Sequence, residues 1–248
     1  PICGGEEQSS GVINYSGSTT EAAVTSINAT EITKAAYQGG EFASALILGA
    51  VIVADDTNVG YSLPLRLPKV LKNVLGKIDF SSEQIAAGAD VKLSDSFPGS
   101  CGGTASYTIT GYNLTGNFSG SLKFDKYCEE NNILSGGASF SGRLNEDASD
   151  FISIAISFNA ITYTKESKNL TLKGQVDVDY SVIPYTISYD VVAKDNVSEK
   201  VFWWNTYKIE ITEGTSYEDF SLSGKFYHPD YGYVIVSTLT PFRFNSDS

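Results

Sequence analysis

Residues that could perform chemistry are few and scattered along this chain of 248 residues. The single histidine, His228, lies in a His-Pro-Asp turn, and the chain has no Gly-x-Ser-x-Gly nucleophile motif. Members of a Ser-His-Asp triad can come from distant positions, but we favour a turn residue for His228. One histidine and three cysteines supply too few ligands for zinc, haem or copper sites. The sequence therefore predicts no catalytic residue, no metal site, no cofactor and no enzymatic activity.

Carboxylates could still bind a hard cation or hydrolyse a glycosidic bond. The segment from Asn145 to Asp150 is rich in oxygen ligands, but it lacks the spacing and glycine of a calcium loop, so we favour a solvated turn. Glycoside hydrolysis needs two carboxylates about 5 to 10 Å apart on one surface. Asp177 and Asp179 alternate with core positions, and we expect them to face outward as solvated or cross-strand partners.

Both tryptophans lie in the segment Val201-Phe202-Trp203-Trp204. Neighbouring residues of a strand point to opposite faces, so one indole must leave the core side. An exposed aromatic surface suits sugar binding, whereas apolar residues on both faces at a sheet margin suit a protein interface. We favour the interface. Its predicted residues are Cys3, Val12, Ile13, Tyr15, Trp203 and Trp204.

Composition restricts the partners and the compartment. A net charge of −12 and a pI near 4.5 repel phosphate backbones, which excludes nucleic acid as a partner. The chain starts at Pro1 and contains no Met, which predicts a removed export signal and an extracellular or cell-surface location. Asn-x-Ser/Thr sequons agree with export, although chance in a chain rich in these residues is the preferred explanation.

The cysteines fit an oxidising compartment. Cys101 and Cys128 flank the first long predicted strand, and we expect a disulfide between them. Cys3 is left over, and an odd thiol in an exported protein suggests an intermolecular bond or a modification. The segment Cys3-Gly-Gly-Glu-Glu-Gln-Ser-Ser resembles the spacer of a bacterial lipoprotein, although Pro1 and Ile2 precede the cysteine.

A repeated glycine pattern predicts the elements that position these residues. Apolar residues stand two before and two after Gly116, Gly136, Gly174 and Gly224. Around these glycines the even-numbered positions are apolar or Gly, and the odd-numbered positions are mostly polar. This alternation is typical of strands with one buried face and one solvent-exposed face. Glycines on the core side permit bends or a close approach of another backbone. The predicted strands are 104–112, 113–125, 132–145, 151–163, 169–181, 184–193, 199–211, 218–228 and 232–244.

Residues 20–100 show helical periods instead. Asn28 can cap a helix with Glu31 at its third position, and Ile32, Ala35 and Ala36 then share one apolar face. Further apolar patterns predict helices over 42–54 and 69–78, and the first of these is too short to span a bilayer.

The sequence thus divides into an N-terminal extension at 1–19, a helical segment at 20–100 and an antiparallel β domain at 101–248. The predicted class is mainly β with some helix (α+β). We expect a long, strongly twisted antiparallel meander sheet, as a half-barrel or a sandwich, covered by the N-terminal helices.

The stretch Tyr15-Ser-Gly-Ser-Thr-Thr-Glu-Ala-Ala-Val-Thr-Ser-Ile-Asn-Ala29 resembles the start of a group of uncharacterised exported bacterial proteins, and that resemblance implies no activity. By analogy the build is similar to that of donor-strand pili and biofilm fibres. We therefore expect a non-enzymatic structural subunit of a filament or surface layer, which assembles with copies of itself when its N-terminal extension adds a strand to a neighbour. Two alternatives are a monomeric carrier of an apolar ligand and a surface carbohydrate-binding or hydrolytic module.

Overall fold

The computed structural model describes residues 13–36, 93–112, 116–129, 131–145, 151–165, 168–215 and 217–245. These residues form one short helix at 29–36 and a set of antiparallel strands. The strands are β1 (Leu93–Pro98), β2 (Gly102–Tyr112), β3 (Asn117–Glu129), β4 (Asn132–Leu144), β5 (Phe151–Lys165), β6 (Lys168–Asp179), β7 (Tyr185–Asp195), β8 (Val201–Glu213), β9 (Tyr217–His228), β10 (Gly232–Ser237) and β11 (Phe242–Asn245).

The strands build one antiparallel meander sheet, in which each strand from β1 to β10 pairs with the next. β11 pairs with β9 as well, so β10 and β11 follow each other along one edge of β9. Among the described strands β1 and β10 do not pair, and the sheet is not closed into a barrel. The predicted mainly β meander is confirmed, whereas the described residues show no second sheet that a sandwich would need.

Most strand ends differ from the prediction by a few residues, and two differences change the elements themselves. The predicted strand at 232–244 divides in two, because Thr238 leaves the β9 pairing register: its N–H donates to the Leu222 carbonyl, and its Oγ1 accepts from the Leu222 N–H. β1 lies within the range predicted to be helical. Its alternating Leu-Ser-Asp-Ser-Phe-Pro sequence pairs with β2, so the sheet begins before residue 101.

One face of the sheet, here called the inner face, carries the hydrophobic core. A single row of aligned inner residues crosses six strands, and all but the glycine are buried side chains: Ile109, Gly120, Phe140, Ile156, Val176 and Tyr189. Burying each large apolar side chain contributes about 1.5–3 kcal/mol, so this face supplies most of the driving force for folding. The opposite face, called the outer face, carries mostly polar side chains, as the period of two predicted.

The repeated glycines have an unusual backbone conformation. Gly136, Gly174 and Gly224 have φ angles of 119°, 153° and 149°, a region that L side chains rarely adopt. Gly136 lies opposite a bulge at Ala160, and a Cβ atom at Gly136 would meet the Ala160 carbonyl at 2.9 Å. The predicted close approach of another backbone at these glycines is therefore confirmed, and the bends stay a prediction.

The helix at 29–36 contributes Ala35 and Ala36 to the core of the inner face, and its Ile32 is also buried, but the predicted cover of several N-terminal helices is not shown by the described residues. It begins at Asn28, whose carbonyl accepts the Ile32 N–H at 3.0 Å. The predicted capping box is not formed, because the Asn28 side chain accepts from the Thr25 N–H and donates to the Ala23 carbonyl. The Glu31 side chain turns toward the end of β9 instead.

The predicted helices at 42–54 and 69–78 lie outside the described residues. Within the described part of the chain, no helix has the length and apolar character needed to cross a membrane. The predicted disulfide is present: Cys101 at the start of β2 is bonded to Cys128 near the end of β3, with their Cα atoms 5.1 Å apart.

Candidate functional site

Residues 13–22, here called the N-terminal arm, lie against the sheet of their own chain. The Tyr15 ring packs 5.9 Å from the Trp203 ring and 5.3 Å from the Tyr227 ring, and its hydroxyl donates to the His228 carbonyl at 2.9 Å. Residues 13–15 form no strand, so the short added strand predicted there is not seen. The backbone pairing occurs later, where Glu21 forms a parallel bridge with Tyr233 of β10. Cys3 and Val12 lie outside the described residues.

Three aromatic side chains, here called the aromatic row, stand side by side on the outer face of β8, β9 and β10. Trp203 and Tyr227 are stacked with ring centroids 4.5 Å apart, and Tyr227 lies 5.5 Å from Tyr233. The Lys225 ammonium sits 4.3 Å above the Tyr233 ring. Trp203 therefore leaves the core side as predicted, whereas Trp204 is only 3% exposed and lies in the chain's own core.

Asp190 fixes the orientation of the Trp203 indole. Its carboxylate accepts from the Trp203 Nε1 at 2.8 Å and from the Asn205 amide at 2.8 Å. Asp190 lies at the β7 bulge between Tyr189 and Val191, where its side chain is exposed. Hydrogen bonds to a charged acceptor are stronger than neutral ones. The Trp203 indole is therefore held firmly on the outer face, on the side of β8 that faces β7.

A line of short polar side chains, here called the hydroxyl row, crosses the outer face from β2 to β7. Each member is the direct cross-strand partner of the next, which spaces their Cα atoms by about 4.5–5.5 Å. The row consists of Thr108, Ser121, Ser139, Ser157, Gln175 and Asp190. It runs perpendicular to the strands and ends at the carboxylate that holds Trp203.

An open groove of about 800 Å³, here called the trough, follows the hydroxyl row from β3 to β7. The groove is wide open to solvent, and its lining includes glycines and serines, whose small side chains leave this surface unfilled. Asn159 and Lys173 line the side opposite the hydroxyl row, and the Lys173 ammonium lies 3.5 Å from Asn14 of the arm. The trough thus offers hydroxyl, amide and carboxylate groups along the hydroxyl row, and amide and ammonium groups on the opposite side.

The two outward acids are engaged by neighbouring groups. Asp177 accepts two hydrogen bonds at 2.8 Å from the Gln175 amide, and Asp179 accepts from the Ser181 N–H at 2.8 Å. Hydrogen bonds from Ser181 lower the pKa of Asp179, which keeps it ionised. Both acids lie on β6 and point outward, as the sequence predicted.

His228 is buried rather than part of an exposed turn: it is the last residue of β9 and only 1% exposed. Its Nε2 lies 3.4 Å from a Glu31 oxygen, and its Nδ1 accepts from the Asp230 N–H at 3.2 Å. Burial lowers the pKa of His228, so the ring is neutral at physiological pH. Both ring nitrogens are occupied, which leaves none free to act as a general base.

Glu31, His228 and Asp230 bring three oxygen or nitrogen atoms within 4.8 Å of one another, which is a spacing that a metal ion could use. The Lys200 ammonium already pairs with the Asp230 carboxylate at 2.5 Å, and the Tyr231 hydroxyl donates to Glu31 at 2.9 Å. These contacts explain the cluster as a link between the helix and the turn after β9.

The trough and the hydroxyl row were missed in the sequence because they depend on which residues of six strands align. The only sequence signal was the excess of serine at outward positions. No protein-family model matches the chain, and neither a curated protein nor a solved structure matches it. The function must therefore be argued from the chemistry of the site.

Proposed function

We propose that this chain is an exported, non-enzymatic glycan-binding protein whose ligand lies in the trough and contacts the edge of the aromatic row at Trp203. The observation that carries this proposal is the continuity between the hydroxyl row and the Asp190 carboxylate that holds the Trp203 indole at 2.8 Å. A site of this kind combines a few convergent polar groups with an apolar surface.

Sugar chemistry matches both halves of this surface. Each sugar carries hydroxyl groups that donate and accept hydrogen bonds, as do Ser139 and Ser157, while Asp190 accepts only. The C–H groups of a sugar are apolar and can pack against the part-exposed edge of Trp203, whose ring also contacts Tyr15 and Tyr227. Because the protein carries a net charge of −12, a neutral glycan is favoured over an acidic one. The Cys101–Cys128 disulfide supports an exported location, since disulfides persist in oxidising compartments.

A glycan array followed by titration calorimetry of the hits tests the proposal. Asp190→Ala removes the acceptor that orients Trp203 and should weaken binding about tenfold or more, since hydrogen bonds to a charged group are worth about 1.5–3 kcal/mol. Glu210→Ala is the matched control, because Glu210 is a partly exposed acid on β8 that pairs with Lys208 outside the trough. An array without hits, or equal losses in both variants, would overturn the proposal.

The intrinsic fluorescence of the chain supplies a second readout. Its two tryptophans differ in environment, since Trp204 is buried and Trp203 is part-exposed. In a Trp204→Phe variant all tryptophan emission comes from Trp203. A bound glycan should shift this emission and protect it from quenching.

Self-assembly through the N-terminal arm is a second candidate function, which one observation favours. The arm is attached by the Tyr15 side chain and by two backbone hydrogen bonds of 2.8 Å around Tyr233. The arm of a neighbouring copy could make the same contacts by domain swapping, which would join subunits without a new surface.

Size-exclusion chromatography with light scattering tests this second function on the full chain and on a variant without residues 1–22, which lacks the whole arm, including Thr20 and Ala22. Assembly by arm exchange predicts oligomers for the full chain and monomers for the shortened one. Oligomers that survive the deletion, or a full chain that stays monomeric, would exclude it. The third expectation, a carrier that encloses an apolar ligand on the inner face, stays a prediction.

A further inference from the structure

We infer that the trough binds a linear β-linked glycan in extended form, laid across the strands with one sugar unit over each strand. This inference rests on the proposed glycan-binding function and specifies its ligand. It follows from the direction, the spacing and the length of the trough.

The direction of the trough is set by the strand register. Ser121 on β3 aligns with Ser139 on β4, and Ser139 aligns with Ser157 on β5. Gln175 on β6 and Asp190 on β7 continue the same line. A ligand that contacts these side chains in succession must lie perpendicular to the strands.

The spacing of the polar groups suits a sugar chain rather than a peptide. Neighbouring strands are about 4.8 Å apart, and an extended β-1,4-linked glycan advances by roughly that distance per sugar unit. An extended peptide advances by only about 3.3 Å per residue, so the spacing of its polar groups would not match the spacing of the hydroxyl row. Peptides that add to sheets also pair with an edge strand and run along it, not across a face.

The length of the trough predicts the length of the glycan. The trough crosses β3 to β7, and four strand spacings of about 4.8 Å give roughly 19 Å. Four to five sugar units therefore fill it. One edge of each sugar faces the hydroxyl row, and Asn159 and Lys173 face the other edge from β5 and β6. Asp190 and Trp203 meet the unit at the β7 end.

The inference is tested with oligosaccharides of defined linkage and length, measured by titration calorimetry on the full chain. Linear β-1,4-linked oligomers of glucose and of N-acetylglucosamine are the probes, and α-1,4-linked glucose oligomers of equal length are the comparison, because α-linkage coils the chain. Affinity for a β-linked series should rise with each added unit and level off at four to five units. The α-linked oligomer of five units should bind at least about tenfold more weakly than its β-linked counterpart, since its coiled shape does not match the spacing of the polar groups.

A pair of variants on β4 tests the place of binding. Ser139→Trp fills the trough at β4 and should abolish the gain from the fourth and fifth units, while a three-unit oligomer over β5 to β7 still binds. Ser141→Trp is the control, since Ser141 is also exposed on the outer face of β4 but does not line the trough. Both positions are exposed, so both variants should keep the melting temperature of the parent protein.

The outcomes separate the two proposals. If α-linked or branched glycans bind as well as linear β-linked ones, or if affinity stops rising at one or two units, the linear-chain inference fails while the glycan-binding function stands. If no glycan of either linkage binds and the array is also empty, both fail. Equal effects of Ser139→Trp and Ser141→Trp would show that the ligand lies elsewhere on the protein.

Discussion

The Nε2 atom of His228 at the end of β9 lies 3.4 Å from an oxygen of Glu31 on the helix, and this contact joins the N-terminal segment to the far edge of the sheet. The backbone carbonyl of the same histidine accepts a hydrogen bond of 2.9 Å from the Tyr15 hydroxyl. The arm and the helix, which lie on opposite faces, are thus attached at one residue. Contacts at His228 should therefore control how firmly residues 13–36 are held.

The stability of the protein should fall as the pH drops below about 6.5, the ordinary pKa of histidine. Burial lowers the pKa of His228 in the folded protein. At pH values between this lowered pKa and about 6.5, the unfolded chain therefore binds more protons than the folded chain. The free energy of unfolding then decreases with falling pH and is fully retained above 6.5. Urea titrations from pH 5 to 8 measure this slope.

His228→Gln is the control for this pH dependence, since His228 is the single histidine of the chain. The variant should lose the slope between pH 5 and 6.5, whatever its absolute stability. An unchanged slope in the variant would show that another group titrates in this range.

Gly136→Ala should destabilise the protein by about 1–3 kcal/mol, because Gly136 has a φ of 119° and an added Cβ would meet the Ala160 carbonyl at 2.9 Å. Gly137→Ala is the matched control: its Cβ would lie 3.5 Å from the Leu122 carbonyl, which is an ordinary contact. Chemical denaturation should show a change within about 0.5 kcal/mol for Gly137→Ala. Similar losses at both positions would contradict the proposed bend at Gly136.

Removing the disulfide should destabilise the β2–β3 end of the sheet. Cys101 and Cys128 are 27 residues apart, and closing a loop of this size stabilises a protein by about 2–4 kcal/mol. The Cys101→Ser, Cys128→Ser double variant should lose this amount in a denaturant titration. Reductant should lower the stability of the parent protein to the same level and leave the double variant unaffected; a parent protein indifferent to reductant would speak against the bond.

Tyr15→Ala should expose Trp203 to solvent and increase its quenching by acrylamide, because the Tyr15 ring lies 5.9 Å from the indole ring. Tyr15→Phe keeps the ring and removes only the hydroxyl, which lies 2.9 Å from the carbonyls of both His228 and Ser18, so it should lose about 0.5–1.5 kcal/mol without a large change in quenching. If quenching is the same in all three proteins, the arm does not cover Trp203 in solution.

The contact of the Tyr15 hydroxyl should also persist in alkaline solution. Burial, with Tyr227 and Asp230 nearby, raises the pKa of Tyr15 to about 12, so the folded protein keeps this proton where an exposed tyrosine would lose it. The stabilisation is complete below pH 10 and is lost as the pH rises toward 12. Quenching of Trp203 should accordingly be equal at pH 7 and at about pH 11, where an exposed tyrosine is ionised, and a rise at about pH 11 would contradict the buried hydroxyl.

Much of the sheet could be predicted from local patterns. Alternation between apolar and polar residues located the strands from β2 to β9 within a few residues, and the adjacent Trp203 and Trp204 were correctly assigned to opposite faces. β1 was missed, because six residues ending in Pro98 carry a weak alternating pattern. The role of His228 was missed as well, since its partner Glu31 is remote in sequence and had been assigned to a capping box.

The sequence by itself determined the antiparallel meander, its apolar face, the close approaches at the repeated glycines and the Cys101–Cys128 bond, because these follow from alternation, backbone freedom and short-range connectivity. Only the tertiary structure decided that Ser121, Ser139 and Ser157 form a line, that Asp190 holds Trp203, and that the arm packs on its own sheet. Register between strands is set by many side chains packing at once on the inner face, so no single segment encodes which outward residues become neighbours.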